Sequence, residues 1–455
     1  MFSIGQVSRD STTHCVQLVA KSLPISLEGI AMAADGDVPP MGTGDPAVRC
    51  RFAVVGDVHG QFCSLISLIR RWERGHALAI DLVLQVGELE AHRDVEDVST
   101  MAAPSKHRAL GDFHRVLAGE LQLPWPVYFI GGNHEPYGWL EGHPEGFELC
   151  HNLHYLGRAG VRSIGHLRVA AISGIHRLES YGLARPELSD WQRQRDRAAT
   201  GDVRQWARGR RISNKDFVGF TGQEVGHVMA GAAEEDVRWR LGCTFASLCR
   251  AGSEGEHGLD REQLRPLAAA LRPSDPDGEA QRLLQKIVGE SGEGRVSEES
   301  FVSFFLSSVS NMSEAKRAVF LQRLQRVQDN SSLVDVLMTH DWPGGIVTVP
   351  PELRRARPVG NEQCQMLMDE VKPALMVCGH MHTAYRARVG GTLVRCLAKV
   401  PSVHSLAVFE MRSRPREEDA GQQYGMWRIR EVDPCDPLPA PHFAAEDSDI
   451  DSDEG

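Results

Sequence analysis

Two metal-ligating side chains follow a short apolar run in the first quarter of the chain. Asp57 and His59 come directly after the run 51–55, and Gly56 and Gly60 flank them. Residues two apart on extended chain point the same way, so the carboxylate and the imidazole are predicted to face one ion. Oxygen and imidazole ligands together suit Mn, Fe, Zn or Ni better than a cation that prefers oxygen alone. Taken alone, the pair is more typical of a polar turn.

The same pattern, an apolar run that ends in glycine and polar residues, recurs four times. The runs are 81–86, 126–130, 333–338 and 374–377, and the polar residues that follow them are Glu88, Asn133, His134, His340, His380 and His382. Strand exits at one edge of a sheet lie close together even when the sequence separates them widely. These side chains are therefore predicted to converge with the first pair on one site.

The elements that must hold these residues are a sheet and the helices that cover it. Residues 63–74 place apolar side chains at helical spacing and are predicted to pack on the sheet. Further strands are predicted at 167–172, 393–397 and 404–411. Strands that alternate with a helix and end in polar residues indicate an α/β protein.

The composition of the chain limits its class. Its 455 residues are 42% hydrophobic, which is enough for a substantial core. The net charge is −11, but six acidic residues lie within the last ten positions, so the near-balanced remainder argues against a broad nucleic-acid binder. The 10 cysteines form no CxxC pair, which favours reduced thiols and a cytoplasmic or nuclear setting. No membrane partner is expected, because no apolar run has membrane-spanning length and no secretory signal is recognised.

Three segments carry little pattern of their own. Residues 1–48 are predicted to be a flexible extension, and residues 413–455 a disordered acidic tail. Between about residues 178 and 230, two interpretations stay open: a solvated surface or mobile loop, and a basic lip that holds a polyanionic substrate. The residues that suggest the basic lip are Arg193, Arg195, Arg197, Arg204, Arg208, Arg210, Arg211, Trp191 and Trp206.

Residues 234–310 contain a helix, a loop and a helix, repeated once. Leu259 and Val296 lie 37 residues apart, and each follows a loop rich in glycine and glutamate and precedes a helix with apolar spacing. This pattern resembles a pair of EF-hands in which the two residues take the eighth loop positions. The resemblance places the loops at residues 252–263 and 289–300.

These loops depart from the EF-hand pattern at the strongest calcium ligands. Both begin with glycine where the family has Asp, and they end in Gln263 and Ser300 where it has a bidentate Glu. The side chains left to bind calcium are Glu254, Glu256, Asp260, Ser291, Glu293 and Ser297. Structural pairing of the loops is the favoured interpretation, and calcium is a secondary candidate cofactor.

The strand exits carry five short motifs in a fixed order. The motifs are 56–60 (Gly-Asp-Val-His-Gly), 87–88 (Gly-Glu), 132–135 (Gly-Asn-His-Glu), 339–340 (Thr-His) and 379–382 (Gly-His-Met-His). This order resembles the calcineurin-like metallophosphoesterase superfamily. The resemblance implies an α/β fold, a four-layer αββα sandwich, in two parts at 49–233 and 311–412 that flank the EF-hand-like insertion at 234–310.

The resemblance also implies a binuclear metal site and a hydrolase. One metal would be held by Asp57, His59 and His382, the other by Asn133, His340 and His380, and Glu88 would bridge them. The two divalent metals would be Mn, Fe, Zn or Ni, and a hydroxide shared by them would attack a phosphomonoester or a phosphodiester.

One further residue of the motifs is implied to act on the substrate. His134 would stabilise the transition state or protonate the leaving oxygen. For Glu135 two roles stay open, because it would either orient His134 or lie on the surface.

Two residues depart from the family pattern, one with consequences for metal binding and activity and the other for the substrate. Glu88 stands where the family has Asp, and its extra methylene predicts a wider metal pair with weaker binding of one metal. Segments 152–157, 172–175 and 339–343 resemble the lariat-debranching branch, but Asp57 stands where those enzymes commonly have Cys. Branched RNA is thus one candidate substrate. The alternative to an enzyme is a catalytically impaired protein of this fold that acts as a calcium-responsive interaction module.

Overall fold

The computed structural model describes residues 48–199, 212–233, 237–249, 258–288, 294–325, 327, 334–347, 359–413 and 427–432. The predicted extension before residue 48 and the predicted tail after residue 432 lie outside this set. The strands are β1 Val48–Val55, β2 Leu82–Gln85, β3 Val127–Phe129, β4 Phe147–Cys150, β5 Leu153–Tyr155, β6 Ala159–Ile164, β7 Leu167–Ile172, β8 Ile175–His176, β9 Gly219–Phe220, β10 Val336–Thr339, β11 Leu375–Cys378, β12 Tyr385–Val389, β13 Thr392–Cys396, β14 Leu406–Ser413 and β15 Trp427–Val432. The helices are α1 Phe62–His76, α2 Val95–Thr100, α3 Phe113–Leu117, α4 Tyr137–Leu140, α5 Leu178–Tyr181, α6 Leu188–Ala199, α7 Lys215–Val218, α8 Gly222–Ala233, α9 Val237–Cys249, α10 Arg261–Leu271, α11 Pro276–Val288, α12 Glu298–Ser310, α13 Glu314–Gln325 and α14 Glu362–Val371.

Two sheets contain the strands that precede the predicted site. The larger sheet has the order β15-β14-β1-β2-β3-β5-β4, and the smaller has the order β12-β13-β11-β10-β7-β6. Strands β1, β2, β3 and β5 run parallel to one another, and so do β7, β10, β11 and β13. Parallel strands place their carboxyl ends at the same edge of a sheet, so loops distant in sequence come together there.

The two sheets pack face to face, with helices on their outer faces. Phe52 and Leu84 of the larger sheet share one buried apolar cluster with Val336 and Val377 of the smaller sheet. Helix α1 covers the outer face of the larger sheet, while α8 and α14 cover the outer face of the smaller sheet. The predicted α/β fold with four αββα layers is confirmed.

Helix α1 illustrates how the apolar pattern builds these layers. Phe62, Leu65 and Ile69 recur at helical spacing and are buried against the larger sheet. Each such side chain contributes about 1.5–3 kcal/mol when it is fully removed from water. The helix ends at Ala77, which adopts the left-handed conformation with φ 51°. The predicted helix at 63–74 is thus confirmed and extends slightly at both ends.

The described residues of the arginine-rich segment form helices, where the weak periodicity predicts a solvated surface or a mobile loop. The solvated surface is consistent with Arg193, whose side chain is exposed. The helices of the segment are α5, α6, α7 and α8. Trp191 is buried against Phe217 with ring centroids 5.6 Å apart, and Val225 and Val228 of α8 pack on the smaller sheet. Tertiary packing rather than a strong local pattern stabilises these helices, which is why the local pattern fails to predict them.

The basic-lip interpretation rests mainly on residues outside the described set. Arg204, Arg208, Arg210, Arg211, Trp206 and the side chain of Arg197 lie there. Of the arginines on α6, Arg193 pairs with Asp190, and the guanidinium of Arg195 lies 4.7 Å from the centroid of the Trp191 ring.

Residues 427–432 correct the predicted tail. They form β15, which pairs antiparallel with β14 at the edge of the larger sheet. The predicted disordered segment at 413–455 is therefore wrong for these six residues. An edge strand pairs on one side only, and its hydrogen bonds to β14 leave little signal in its own sequence.

Helices α9 to α13 form a unit with its own apolar cluster. Leu259 and Val296 exchange two backbone hydrogen bonds of 2.9 and 2.8 Å between the loops that precede α10 and α12. Phe320 and Leu324 of α13 belong to the same cluster, so the helical unit extends past the predicted boundary at residue 310. Its interpretation as an EF-hand pair stays a prediction.

The helical unit contacts the amino ends of the strands. Arg49, near the start of β1, lies 2.5 Å from Glu298 of α12. Arg168, near the start of β7, lies with its guanidinium carbon 5.6 Å from the Trp239 ring of α9. The strand exits that carry the predicted ligands lie at the other end of these strands. Among the described residues, no helix has both the length and the apolarity to cross a membrane.

Candidate metal centre

The candidate site is built from loops at the carboxyl ends of strands in both sheets. The loops after β1, β2 and β3 of the larger sheet meet the loops after β10 and β11 of the smaller sheet. Glycine permits the close approach, since a Cβ on Gly132 would lie 2.5 Å from the backbone nitrogen of Glu88 and 2.8 Å from His340 Nε2. The sheet order therefore delivers the convergence that the strand exits predict.

Several side chains of the site sit on backbone in the left-handed region, which non-glycine residues rarely adopt. The residues are His59 at φ 49°, Glu88 at 54°, Glu90 at 54°, His380 at 67° and His382 at 51°. Each such conformation costs on the order of 1–3 kcal/mol and persists only where the surrounding structure fixes it. Strain concentrated at five neighbouring positions is typical of a functional site.

The first ligand group joins Asp57, His59, Glu88 and His382. One ligand atom from each lies within 4.8 Å of those of the others. The Nε2 atoms of His59 and His382 are 3.1 Å apart, and Glu88 Oε2 lies 3.0 and 3.3 Å from them. Asp57 Oδ2 lies 3.3 Å from His382 Nε2. These are the separations expected between donor atoms around one cation.

The second ligand group joins Glu88, His340 and His380, with Asn133 beside them. The three titratable residues again offer ligand atoms within 4.8 Å of one another. His340 Nδ1 lies 2.7 Å from the Val86 carbonyl oxygen and donates to it, which leaves Nε2 free as an acceptor. That Nε2 lies 3.2 Å from Asn133 Oδ1 and 3.4 Å from Glu88 Oε1.

Glu88 lies between the two groups and presents a different oxygen to each. Oε2 faces His59 and His382, while Oε1 faces His340. This is the arrangement that a bridging carboxylate requires. The wider metal pair that the longer side chain predicts stays a prediction.

Some buried polar atoms of the centre have no hydrogen-bond partner among the described residues. They include Asp57 Oδ2 and His380 Nδ1. A buried polar atom without a partner costs about 1–3 kcal/mol, and more when charged, unless a ligand satisfies it. Carboxylate, amide and imidazole donors arranged in two groups around a shared carboxylate fit a pair of divalent metals.

The carboxylates and imidazoles of the centre shift one another's pKa values. Burial and the neighbouring Glu88 raise the pKa of Asp57. Burial opposes the ionisation of Glu88, but His134 and His59 hold its pKa well below the usual range. Burial disfavours charge on His59, but Glu88 and Glu90 outweigh it and raise the pKa to about 11. A cation between two buried carboxylates relieves their repulsion, so these electrostatics favour metal binding.

His134 lies beside the two ligand groups. Its ring is buried, with Nδ1 3.4 Å from Glu90 Oε1 and 3.8 Å from Glu88 Oε1. Burial disfavours the charged ring, but the two carboxylates together raise its pKa. A protonated imidazole at this position is suited to donate a proton at the edge of the centre.

Glu135 takes neither of the two roles predicted for it. Its carboxylate is fully buried and accepts backbone N–H groups from Leu89 at 2.9 Å, Glu90 at 3.1 Å and Gly132 at 3.3 Å. Burial raises its pKa to about 7. Glu135 therefore ties the loop after β3 to the loop after β2.

Two acidic residues of the site are missing from the sequence prediction. Glu90 contacts His59 and His134, and Asp341 Oδ1 lies 3.6 Å from His380 Nε2. The sequence does place both next to predicted ligands, because Glu90 lies two residues after Glu88 and Asp341 directly follows His340. Acidic residues in such positions are common on surfaces, so the sequence pattern alone does not separate the two cases.

The candidate calcium ligands are only partly within the described residues. Glu254, Glu256, Ser291 and Glu293 lie outside them. Asp260 Oδ1 accepts the backbone N–H of Gln263 and caps α10, and Ser297 caps α12 in the same way. Both visible candidates thus serve as helix N-caps.

Residues 50–222 match the family model described as calcineurin-like phosphoesterase. The match spans the loops after β1, β2 and β3, while the loops after β10 and β11 lie beyond it. This part of the chain is therefore similar to calcineurin-like phosphoesterases.

Part of the chain is also similar to lariat debranching enzymes. It is 38% identical to that of Drosophila melanogaster over 125 residues, which are 28% of this chain and 23% of the relative. Identity to the Gallus gallus enzyme is 34% over 149 residues, 33% and 28% of the two chains. Identity to the Homo sapiens enzyme is 37% over 131 residues, 29% and 24% of the two chains. The alignments thus span about a quarter of the length of these relatives.

Proposed function

We propose that the protein is a metal-dependent phosphoesterase. The observation that carries this proposal is the pair of ligand groups that share Glu88 at the carboxyl edge of the two sheets. Asp57, His59 and His382 would hold one divalent metal, and Asn133, His340 and His380 the other. The match to the calcineurin-like phosphoesterase model supports the same reaction class.

Different residues of the centre have different roles in the proposed hydrolysis. When bound, a pair of divalent metals supplies Lewis-acid activation of the phosphate and of water. His340 is held by the Val86 carbonyl in the tautomer that keeps its Nε2 lone pair toward the second group. His134, whose pKa is raised by Glu88 and Glu90 against the effect of burial, donates a proton to the leaving oxygen.

Among phosphate esters, branched RNA is the favoured substrate class. The partial similarity to lariat debranching enzymes supports it. Asp57 replaces the Cys common in that branch, and the comparison of branched with linear RNA tests whether this chain prefers the 2′–5′ bond. The oxygen and imidazole ligands favour Mn, Fe, Zn or Ni as the native metals.

The test combines a generic substrate with a matched pair of oligonucleotides. Purified protein loaded with Mn²⁺ is incubated with bis(p-nitrophenyl) phosphate, and then with a branched RNA and a linear RNA of the same sequence. We expect release of nitrophenolate that a chelator abolishes, and faster cleavage of the branched RNA at its 2′–5′ bond. Equal cleavage of both RNAs would remove the branched-RNA assignment. No release with Mn, Fe, Zn or Ni from folded, metal-loaded protein would overturn the phosphoesterase proposal and favour a non-catalytic binding role.

A further inference from the structure

Glu90 is a buried carboxylate in the centre that the roles above leave without a function. It lies in the loop after β2, two residues beyond Glu88, with its side chain only 4% exposed. One oxygen, Oε1, lies 2.8 Å from His59 Nδ1 and 3.4 Å from His134 Nδ1. A single carboxylate oxygen thus faces both a proposed metal ligand and the proposed proton donor.

The backbone around Glu90 is fixed from two sides. The left-handed conformations of Glu88 and Glu90 turn the loop so that both carboxylates enter the centre. The buried carboxylate of Glu135 accepts the backbone N–H groups of Leu89 and Glu90. Because the backbone is held, the side chain of Glu90 has little freedom to move away from the two imidazoles.

The contact with His59 determines which ring nitrogen is available. His59 Nε2 faces Glu88 and His382 in the first ligand group, while Nδ1 faces Glu90. A carboxylate at 2.8 Å from Nδ1 keeps a proton there, so Nε2 is the nitrogen that gives up its proton when a metal binds. A hydrogen-bonded partner on the far nitrogen orients a metal-binding imidazole and makes it a stronger ligand.

We infer that Glu90 is a positioning residue, which holds His59 for metal binding and His134 for proton donation through the same oxygen. The inference rests on the proposed function for His134 but on geometry alone for His59. The rings of these two histidines lie 5.5 Å apart, with the carboxylate between their Nδ1 atoms. Metal affinity and turnover are thereby coupled through one side chain.

A third cation is the competing explanation for this cluster. His59, Glu90 and His134 present ligand atoms within 4.8 Å of one another. For His59 to bind a cation through Nδ1 while Nε2 binds another, its ring must lose both protons and become an imidazolate. The positioning role needs only the neutral ring, which is the ordinary metal-binding form.

The experiment compares Glu90→Leu with Glu90→Gln, whose amide oxygen can accept the same hydrogen bond from His59 Nδ1. The exposed Glu120→Gln is the matched control. Metal-free protein is titrated with Mn²⁺ by calorimetry, and kcat and KM are measured with bis(p-nitrophenyl) phosphate. Thermal melting of each metal-free variant checks folding.

We expect two equivalents of metal in every variant. Glu90→Leu should weaken one site by about 10–100-fold, the range found when a partner of a metal-binding histidine is removed. In Glu90→Gln, metal affinity should return to within a few-fold of the original protein. At saturating Mn²⁺, Glu90→Leu should lower kcat with little change in KM, because His134 loses the carboxylate that lies 3.4 Å from its Nδ1.

Two results would overturn the inference. Unchanged metal affinity in Glu90→Leu would show that Glu90 does not position His59. A third equivalent of metal in the original protein, lost in Glu90→Leu, would assign the cluster to a cation. Metal titration does not depend on turnover, so it separates this inference from the proposed function. If Glu90→Leu binds metal more weakly but the original protein hydrolyses no substrate, the proposed function is wrong and the role of Glu90 toward His59 still stands.

Discussion

At the carboxyl edge of the two sheets, the polar side chains come from five strand exits and meet around Glu88. At the amino edge, Arg49 and Arg168 contact a helical unit that has its own apolar cluster. The two edges are separated by the length of a strand, about 26 Å for the eight residues of β1. One edge is strained and polar, and the other is an ordinary packed contact.

The candidate metal centre and the helical unit of α9 to α13 therefore lie at opposite edges of the sheets. The helical unit contacts strand starts, so it lies away from the metal centre rather than over it. In the centre, five residues adopt rare left-handed conformations, whereas in the helical unit Asp260 and Ser297 cap helices in ordinary ways. Perturbing one edge should therefore leave the other largely intact.

The largest expected effect comes from removing a ligand at the carboxyl edge. His380→Ala should lower turnover of a phosphodiester by at least about 1,000-fold, since several kcal/mol of charge stabilisation depend on the metal it holds. The exposed His151→Ala is the control and should keep its activity. If His380→Ala turns over at the original rate with its fold intact, the centre described here is not where hydrolysis occurs.

The next largest effect comes from a substitution in the helical unit at the amino edge. Phe301 is fully buried, with its ring centroid 5.6 Å from that of Phe245 and 4.8 Å from that of Phe305. Phe301→Ala should destabilise the helical unit by about 3–5 kcal/mol through the cavity it leaves. Denaturant unfolding measures this, with the half-exposed Val319→Ala as control. Turnover per folded molecule should change less than about twofold, and a loss as large as that of His380→Ala would mean that the two edges are coupled.

A smaller effect tests how the centre accommodates its longer bridging residue. Glu88→Asp withdraws the carboxylate by about one C–C bond from imidazoles that it now approaches at 3.0–3.4 Å. Because the folded loop already places the longer side chain against these imidazoles, we expect about tenfold weaker binding of Mn²⁺ in Glu88→Asp, the reverse of what the family pattern predicts. Titration of metal-free protein measures it. The exposed Glu148→Asp should leave the affinity unchanged. Tighter binding or faster turnover in Glu88→Asp would show instead that the longer side chain limits the site.

The smallest expected effect concerns calcium at the helical unit. Gln263 Oε1 already accepts from the Asp260 backbone at 3.0 Å and from Arg295 at 2.6 Å, so the twelfth loop position has neither charge nor free oxygen. At 1 mM Ca²⁺ the stability gain should stay below about 0.5 kcal/mol, as for a Kd of 1 mM or weaker. Thermal melting with and without Ca²⁺ measures it. A marked shift at micromolar Ca²⁺ would favour the calcium-responsive alternative.

The sequence predicts the carboxyl edge well because its residues are marked locally. Each ligand lies in a short motif that directly follows an apolar run. The apolar runs also predict strand bounds, and β7 begins and ends at the predicted residues 167 and 172. The convergence of the ligands then follows from strand order in a parallel sheet. Glu90 and Asp341 are not predicted because their role in the site depends on which imidazole each of them contacts. That contact is set by the conformation of the folded loop.

Other elements could not be predicted because they depend on contacts with other parts of the fold. Helix α8 is rich in glycine and alanine, and Val225 and Val228 gain their stability from the smaller sheet. Strand β15 exists because β14 offers its edge. Glu135 similarly takes its role from the backbone of another loop. None of these contacts leaves a short-range pattern in the chain.

The most direct test of the metal centre is the anomalous scattering of crystals grown with Mn²⁺. The account predicts two peaks, one among Asp57, His59 and His382 and the other among Asn133, His340 and His380, with Glu88 in contact with both. A single peak, or peaks away from these side chains, would contradict it.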